Sequence, residues 1–533
     1  MAEQIIITGV GSELQGVGRL PDGRAVFVPG AIPGERVRVQ IEHEKGRFCE
    51  ASLCDVLEVS TDRAVPACPH VGDCGGCQAR HMAYGRTLAL KRQIVSDALS
   101  RIGGIGAPSV LETLGCADPE RTRNKAEYPV AIQDGRPVIG AFARGGRRVV
   151  PLSDCLLQRP QSAKALEWLS AHLGEVDCAS HLRYMVTRVN RAGELMLVFC
   201  ADAPVHGAIK RLSPALHAAL PELKSLYLCV LNRRPTHALD GRCERIDGDA
   251  TLSETLCGLE FEISPQSFFQ VNPDQAERLY AEALRAAGLT EDTQDVLDAY
   301  CGAGTITLAA ARLARHVTGI EIVPPAIEDA RRNAKRNGLS DRADFICGDA
   351  AKEIPKLLAR GRRFDAAILD PPRKGADAAL LKALIAAKIP RIAYVSCNPA
   401  TLARDVKLLA AGGYGLEWAR PVDMFPWTGH VETVVSLYYQ RSTKFINVTY
   451  EPKDGEYLKH KPGCATYSEI QKWISENCKL NVSHLYIAQT KRKYGIIERE
   501  NYNLPKSDHG KKLTCPPEKE QAIVKAFKHF RML

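Results

Sequence analysis

The stretch RIAYVSCNPATLARD, residues 391–405, carries a thiol, Cys397, to the point where an apolar β-prone run gives way to Asn398, Pro399 and a helical sequence. A cysteine held at the end of a buried strand and beside a proline is a candidate nucleophile for covalent catalysis. In MFPWTGHVETVVSL another strand starts at Glu432, the best candidate for a partner base, with His430 second. Carboxylates close three further apolar runs: Glu321 in HVTGIEIV, Asp349 in ADFICGDA and Asp370 in FDAAILDPPRKG. A separate group is CPHVGDCGGCQARHM, where Cys68, Cys74 and Cys77 stand in a C-x5-C-x2-C array, with Cys155 far downstream in PLSDCLLQ. Three close thiols and a distant fourth suit a four-thiolate site, iron–sulfur or zinc. Gly75 and Gly76 let the backbone turn tightly enough for two sulfurs to converge. The array differs from the C-x3-C-x2-C that radical enzymes use, so the metal it predicts is structural.

The elements that must hold these residues alternate. From residue 295, DVLDAYCGAGTITLAAARLA reads as strand, glycine turn and helix, and HVTGIEIVPPAIEDARRNAKRNGL repeats the unit. The alternation continues to VETVVSLYYQ, which predicts a doubly wound parallel sheet with its ligand at the carboxyl ends of the strands. Gly302 and Gly304 permit close backbone approach to that ligand, and Glu321 stands where an acid would bind ribose hydroxyls. Thr305 follows Gly304 directly, so the third glycine of the dinucleotide fingerprint is missing, which argues against NAD. With Asp349 and Asp370 at the next two strand ends, the set resembles the class I S-adenosylmethionine-dependent methyltransferases. That resemblance implies a Rossmann-like domain in which Glu321 holds the ribose and Asp349 lies near the adenine.

A thiol at such a site answers a specific chemical difficulty. Carbon 5 of a pyrimidine is a poor nucleophile inside an intact aromatic ring. Addition of Cys397 to carbon 6 would break the conjugation and give an enolate-like intermediate whose carbon 5 can attack a sulfonium methyl group. A base must then remove the carbon 5 proton, and its departure expels the cysteine.

SCNPATLARD, LDPPRKG, FPWTGHVE, SPQSFFQVN and the cysteine array together resemble the RNA uracil-5-methyltransferases of the RumA/TrmA type, over about residues 1–440. The resemblance implies Cys397 as nucleophile and Glu432 as general base. It implies cofactor contacts at Gln270, Tyr300, Gly302, Gly304, Thr305, Glu321, Asp349 and Asp370, with Thr305 where some members carry Asn. It also implies a [4Fe–4S] cluster on Cys68, Cys74, Cys77 and Cys155, and an N-terminal barrel of the TRAM type. The metal-bearing branch points to 23S ribosomal RNA as substrate, with transfer RNA the alternative. Two neighbouring activities fail on residue placement: cytosine-5 enzymes put their thiol in a Pro-Cys context at the fourth strand, and amino-group enzymes need an aromatic residue where Arg373 stands. A non-catalytic RNA-binding protein on a methyltransferase scaffold is the reading from a different class.

The rest of the chain divides accordingly. Residues 1–60 alternate short β-prone runs with Gly and Pro turns, the pattern of a small OB-like antiparallel barrel. Residues 61–272 read as a mixed α+β central domain, with a helix in GRTLALKRQIVSDALSRIGG and a strand turn at Asp134–Gly135. Arg121, Arg123 and Lys125 are candidates for phosphate contact, or else solvated charge. Residues 273–440 form the methyltransferase domain. Residues 441–533 hold 18 Lys and Arg against 10 Asp and Glu, nearly all of the net +9, and predict three short helices with Ser483 capping the second. Such a basic extension suits RNA binding or a solvated lysine face. Among the 18 cysteines, Cys49, Cys54, Cys116, Cys178, Cys200, Cys229, Cys243, Cys257 and Cys347 read as isolated small hydrophobes, and Cys301 as filler beneath the cofactor. No signal-peptide pattern opens the sequence and no apolar run is long enough for a membrane span, so the expectation is a cytoplasmic monomer with no membrane partner.

Overall fold

The computed structural model describes residues 2–440, 465, 467–494, 515–530 and 532. They fall into two compact units, residues 1–442 and 443–533.

The first unit opens with a closed barrel of strands Ala2–Val10, Gly16–Arg19, Ala25–Val28, Phe48–Glu58 and Arg36–Lys45, in that order around the wall. Alternation places Val37 and Val39 inside while Arg36 and Arg38 face water. Strand Gly16–Arg19 escapes a reading based on β-branched runs because two of its four residues are glycine, and the glycines are needed. A Cβ on Gly18 would lie 2.7 Å from the Ile6 carbonyl oxygen.

The central domain is a seven-stranded sheet running Gly241–Gly248, Leu223–Leu231, Leu195–Ala201, Leu182–Val189, Lys125–Gln133, Arg136–Phe142 and Val149–Pro151. The expected turn at Asp134 and Gly135 joins two of these strands, with both residues at positive φ.

The third layer is a seven-stranded sheet ordered 3-2-1-4-5-7-6 by its own strands: Asp295–Ala299, His316–Glu321, Ala343–Cys347, Ala366–Leu369, Arg391–Ser396, Tyr414–Val422 and Glu432–Tyr439. The first five are parallel and the last is antiparallel, inserted beside Arg391–Ser396. The alternation predicts the five parallel strands and the antiparallel last strand departs from it; the whole is the class I methyltransferase architecture that the resemblance implies. Two distant segments complete its core. Helix Tyr84–Arg101 packs on helix Pro399–Ala411, bringing Val95 and Leu99 against Leu402 and Val406. Hairpin Leu252–Leu256/Leu259–Ile263 buries Leu256 and Phe261 with Leu279 and Ile327.

The described part of the second unit contains helices Tyr467–Cys478, His484–Lys493 and Pro517–His529, packed through Ile470, Ile474, Ile487, Ile523 and Phe527. Ser483 Oγ accepts a hydrogen bond from the Tyr486 backbone N–H at 3.3 Å, the expected cap. No described helix is long and apolar enough to cross a membrane.

The expectation of isolated, buried cysteines needs correction. Cys49 and Cys178 are buried, but Cys54 and Cys347 are exposed. Cys200, Cys229 and Cys243 stand side by side on three neighbouring strands, because the pairing registers are Cys200 with Cys229 and Cys229 with Cys243.

Candidate active site

Cys397 follows strand Arg391–Ser396 by one residue, and the sequence explains why the thiol stays at an edge. Asn398 is the N-cap of helix Pro399–Ala411: its Oδ1 accepts from the N–H groups of Ala400 and Thr401 at 3.0 and 3.4 Å. Pro399, at the first helical position, supplies a preset φ and lacks an N–H that would otherwise need a partner. Asn398 Nδ2 and Thr401 Oγ1 donate to the Arg373 carbonyl at 3.4 and 3.2 Å, tying this turn to the Asp370–Arg373 loop. The half-buried Cys397 thiol is pushed above its ordinary pKa by burial first, then by the carboxylates of Glu432 and Asp370, with Arg373 opposing.

Strand pairing sets the partner. The antiparallel register joins Val395 to Val434 and ends with Ser396 on Thr433, so Cys397 and Glu432 each stand one residue past the last rung, at the same end of the two strands. Glu432 is only 8% exposed. Burial raises its carboxyl to about 8; Asp370 adds to the shift and Arg373 counters it. Burial also lifts Asp370 to about 6. His430 lies edge-on to Phe425 at 5.9 Å, and burial, then Arg373, pushes its pKa down.

These groups face a cavity of about 1730 Å³ at the carboxyl ends of the strands, and the same cavity is lined by Gln270, Tyr300, Gly302, Thr305, Glu321, Asp349 and Asp370. Gly302, at φ +53°, has open space where a Cβ would stand. Glu321 accepts from the N–H groups of Gly302 at 3.3 Å and Val323 at 2.9 Å, which locks the glycine loop to the second strand. Asp349 caps helix Ala350–Ala359 through the Ala351 N–H at 3.0 Å. The Tyr300 hydroxyl accepts from the Asp377 N–H at 3.4 Å, and the Gln270 carbonyl accepts from Asn124 Nδ2 at 3.1 Å. Thr305 Oγ1 bonds the Tyr280 hydroxyl at 2.9 Å, so its hydroxyl is already engaged within the protein. Gly304 does not line the cavity. It turns the chain at φ +83°, with Ala330 and Phe345 3.1 Å from where a Cβ would be. Cys301 is buried, and its Sγ lies 2.9 Å from where a Cβ on Gly319 would stand, which is packing as expected.

Sequence reasoning missed Asp298. It is fully buried against the cavity, accepts from Thr307 Oγ1 at 2.5 Å, has no partner on Oδ1 among the described residues, and is raised to about 7 by burial. Its position four residues before Gly302 in DVLDAYCGAG was the available signal. Phe268, 80% exposed on the cavity wall, was also missed.

Cys68, Cys74, Cys77 and Cys155 are all half-buried and within electrostatic reach of one another: Cys74 feels Cys155 and Cys68, and Cys155 feels Cys77 and Cys68. Burial is the main cause that raises Cys74, Cys77 and Cys155. Donors already meet the sulfurs, Gly76 N–H at 3.4 Å on Cys74 and Arg80 Nε at 3.3 Å on Cys77. Arg123 Nε and the Tyr128 hydroxyl, both within reach of Cys155, are buried without partners. Among the described residues no three His, Cys, Asp or Glu side chains converge to hold a single metal ion, so the closed tetrahedral zinc geometry is not formed. A [4Fe–4S] cluster inserts iron and sulfide between its cysteines and holds their sulfurs farther apart. Gathered thiols with surplus donors around them fit such a group. Of the three residues read as phosphate contacts or solvated charge, Arg121 pairs with Asp154 through two 2.7 Å bonds, Lys125 pairs with Glu127 at 2.7 Å, and Arg123 faces the thiols and the Phe425 ring.

Similarity to known proteins bears on the family. Residues 249–440 match the family described as tRNA (Uracil-5-)-methyltransferase, and residues 3–54 match the TRAM domain. An uncharacterized RNA methyltransferase of Halalkalibacterium halodurans is 40% identical over 425 residues, 78% of this chain and 92% of the relative. Another, from Caldanaerobacter subterraneus, is 40% identical over 440 residues, 81% and 96% of the two chains. Among solved structures, the Pyrococcus abyssi tRNA (uracil-54, C5)-methyltransferase in complex with S-adenosyl-L-homocysteine aligns over 82% of this chain and 100% of its own, at 28% identity and a TM-score of 0.63. With a relative of such identity matched over nearly its whole length, the chain belongs to the TRAM-bearing RNA methyltransferases of the uracil-5, or RumA/TrmA, type.

Proposed function

We propose that the protein methylates carbon 5 of uridine in RNA through a covalent Cys397–carbon 6 adduct, with 23S ribosomal RNA as substrate. The observation that carries this is that Cys397 and Glu432 each stand one residue past the last rung pairing their strands, a thiol and a buried carboxyl lining one cavity. Gly302 and the orphaned Oδ1 of Asp298 leave room and hydrogen-bonding capacity in that cavity for a cofactor, with Glu321 and Asp349 set to hold its ribose and base edge. When bound, S-adenosylmethionine supplies the methyl group that carbon 5 takes.

The chain's own residues do the rest. The target uracil leaves its stack to enter the cavity, and the exposed ring of Phe268 offers a stacking surface at the wall. The Cys397 sulfur bonds to carbon 6, and the Arg373 cation favours the thiolate this needs. Once carbon 5 is alkylated, Glu432 takes its proton; the freed electron pair restores the carbon 5–carbon 6 double bond, and the carbon 6–sulfur bond breaks to return the thiolate. Cys68, Cys74, Cys77 and Cys155 would hold a [4Fe–4S] cluster in a structural role, and it is the resemblance that ties a cluster-bearing enzyme to the ribosomal substrate. Transfer RNA is the second reading, favoured by the family description and by the substrate of the Pyrococcus abyssi enzyme. Mass mapping of ribosomal and transfer RNA from cells with and without the gene decides between them. Loss of 5-methyluridine at a 23S position is expected. Loss confined to transfer RNA overturns the ribosomal reading, and loss of a different modification overturns the reaction.

A further inference from the structure

Among the described residues none makes a hydrogen bond that orients the Glu432 carboxyl; the groups acting on it are its buried surroundings, Asp370 and Arg373. Its position is therefore inherited from its backbone, which is fixed on one side by the strand Glu432–Tyr439 and on the other by the loop Asp423–Val431. That loop is held by the thiol-bearing segment. The Trp427 carbonyl accepts two backbone N–H groups, from Gln78 at 2.8 Å and Ala79 at 3.0 Å, the two residues that follow Cys77. The Arg80 guanidinium lies over the Trp427 ring at 5.1 Å while its Nε donates to Cys77 Sγ at 3.3 Å and its two terminal nitrogens grip Glu120 at 2.8 Å each. The Tyr84 ring packs tilted against the indole at 5.3 Å. Trp427 itself is at φ +64°, a left-handed conformation that a bulky residue adopts only when its surroundings enforce it. Two residues on, Gly429 presses on the barrel so closely that a Cβ would lie 2.5 Å from Glu13 Cα.

We propose that Trp427 and Arg80 are positioning residues for the base: the bracket Cys77–Arg80–Trp427 sets the loop from which Glu432 is aimed at the carbon 5 proton. This rests on the reading of Glu432 as that base. The consequence is step-specific. Attack by Cys397 belongs to a different strand end and needs no bracket, whereas release of the methylated product does.

The test uses the full-length protein with its thiol site loaded, substrate RNA and methyl-labelled donor, with denaturing gels to trap covalent protein–RNA complex. Glu432→Gln accumulates methylated covalent complex. Trp427→Leu and Arg80→Met are expected to accumulate it too, about tenfold over wild type, while trapping by 5-fluorouridine RNA proceeds at the wild-type rate. Trp427→Phe, which keeps an aromatic ring under Arg80, restores release. If Trp427→Leu and Arg80→Met slow trapping and turnover by one common factor, or show no complex while Glu432→Gln does, the positioning role is overturned and the base assignment survives. If Glu432→Gln turns over like wild type, the base assignment falls and this inference with it.

Discussion

Burial lifts the Glu432 carboxyl from its ordinary 4.5 to about 8, and the same burial works against the fold. The folded state holds this proton between those two values while the unfolded chain releases it. Stability therefore falls as pH rises from about 4.5 to about 8 and stays reduced above that, by up to about 5 kcal/mol. Glu432→Gln removes the penalty. Thermal unfolding should show the variant more stable than wild type at pH 9 and equal to it at pH 4; equal transitions at pH 9 would contradict the buried assignment. The chemical counterpart has the opposite sense, because the base acts as carboxylate: release of methylated RNA in single turnover should rise with pH until about 8. Cys397 and the strand-end acids were legible because each follows or closes an apolar run of a parallel strand, and Glu432 because it opens the antiparallel one, so all fall at one edge of the sheet. Asp298 was not, since a buried acid inside a strand looks like any other residue until its free oxygen is seen facing the cavity.

At the scale of elements, the thiol depends on a helix start. Asn398→Ala removes the cap of helix Pro399–Ala411 and the link to the Arg373 carbonyl, and should cost about 1 kcal/mol in chemical denaturation. Asn398→Asp keeps the cap and loses only that link, so it should recover most of the stability; an Asp variant as weak as Ala would place the loss in the loop contact instead. A second joint lies between helix Tyr84–Arg101 and the base loop, where Lys91 and Asp423 form a fully buried ion pair completed by the Tyr84 hydroxyl at 2.7 Å and the Phe425 carbonyl at 3.1 Å. Lys91→Met leaves Asp423 charged and unpaid within the core and should destabilise by about 3–5 kcal/mol, with Lys91→Met/Asp423→Asn recovering part of it. The helical periodicity of residues 84–101 could be read from the chain, but not its partner. Its apolar face fits any core, and the sequence separation from Leu402 and Val406 hides the match. The cysteine row of Cys200, Cys229 and Cys243 was hidden for the same reason, because only strand register aligns it.

At the scale of the molecule, the two units have separate cores, and the basic excess belongs to the second. The alternation of strands and helices made the large sheet legible, and the basic excess of residues 441–533 made the extension legible as something added. Deleting residues 441–533 should leave the main unfolding transition in place. If the extension touches RNA phosphates, the deletion should also flatten the dependence of RNA affinity on salt. An unchanged salt slope assigns its lysines to solvent.

The most direct measurement of the covalent mechanism is peptide mapping of the complex trapped with 5-fluorouridine RNA. The adduct is predicted on Cys397, with none formed by Cys397→Ser. An adduct on any other residue, or wild-type turnover by a folded Cys397→Ser protein, would contradict the account.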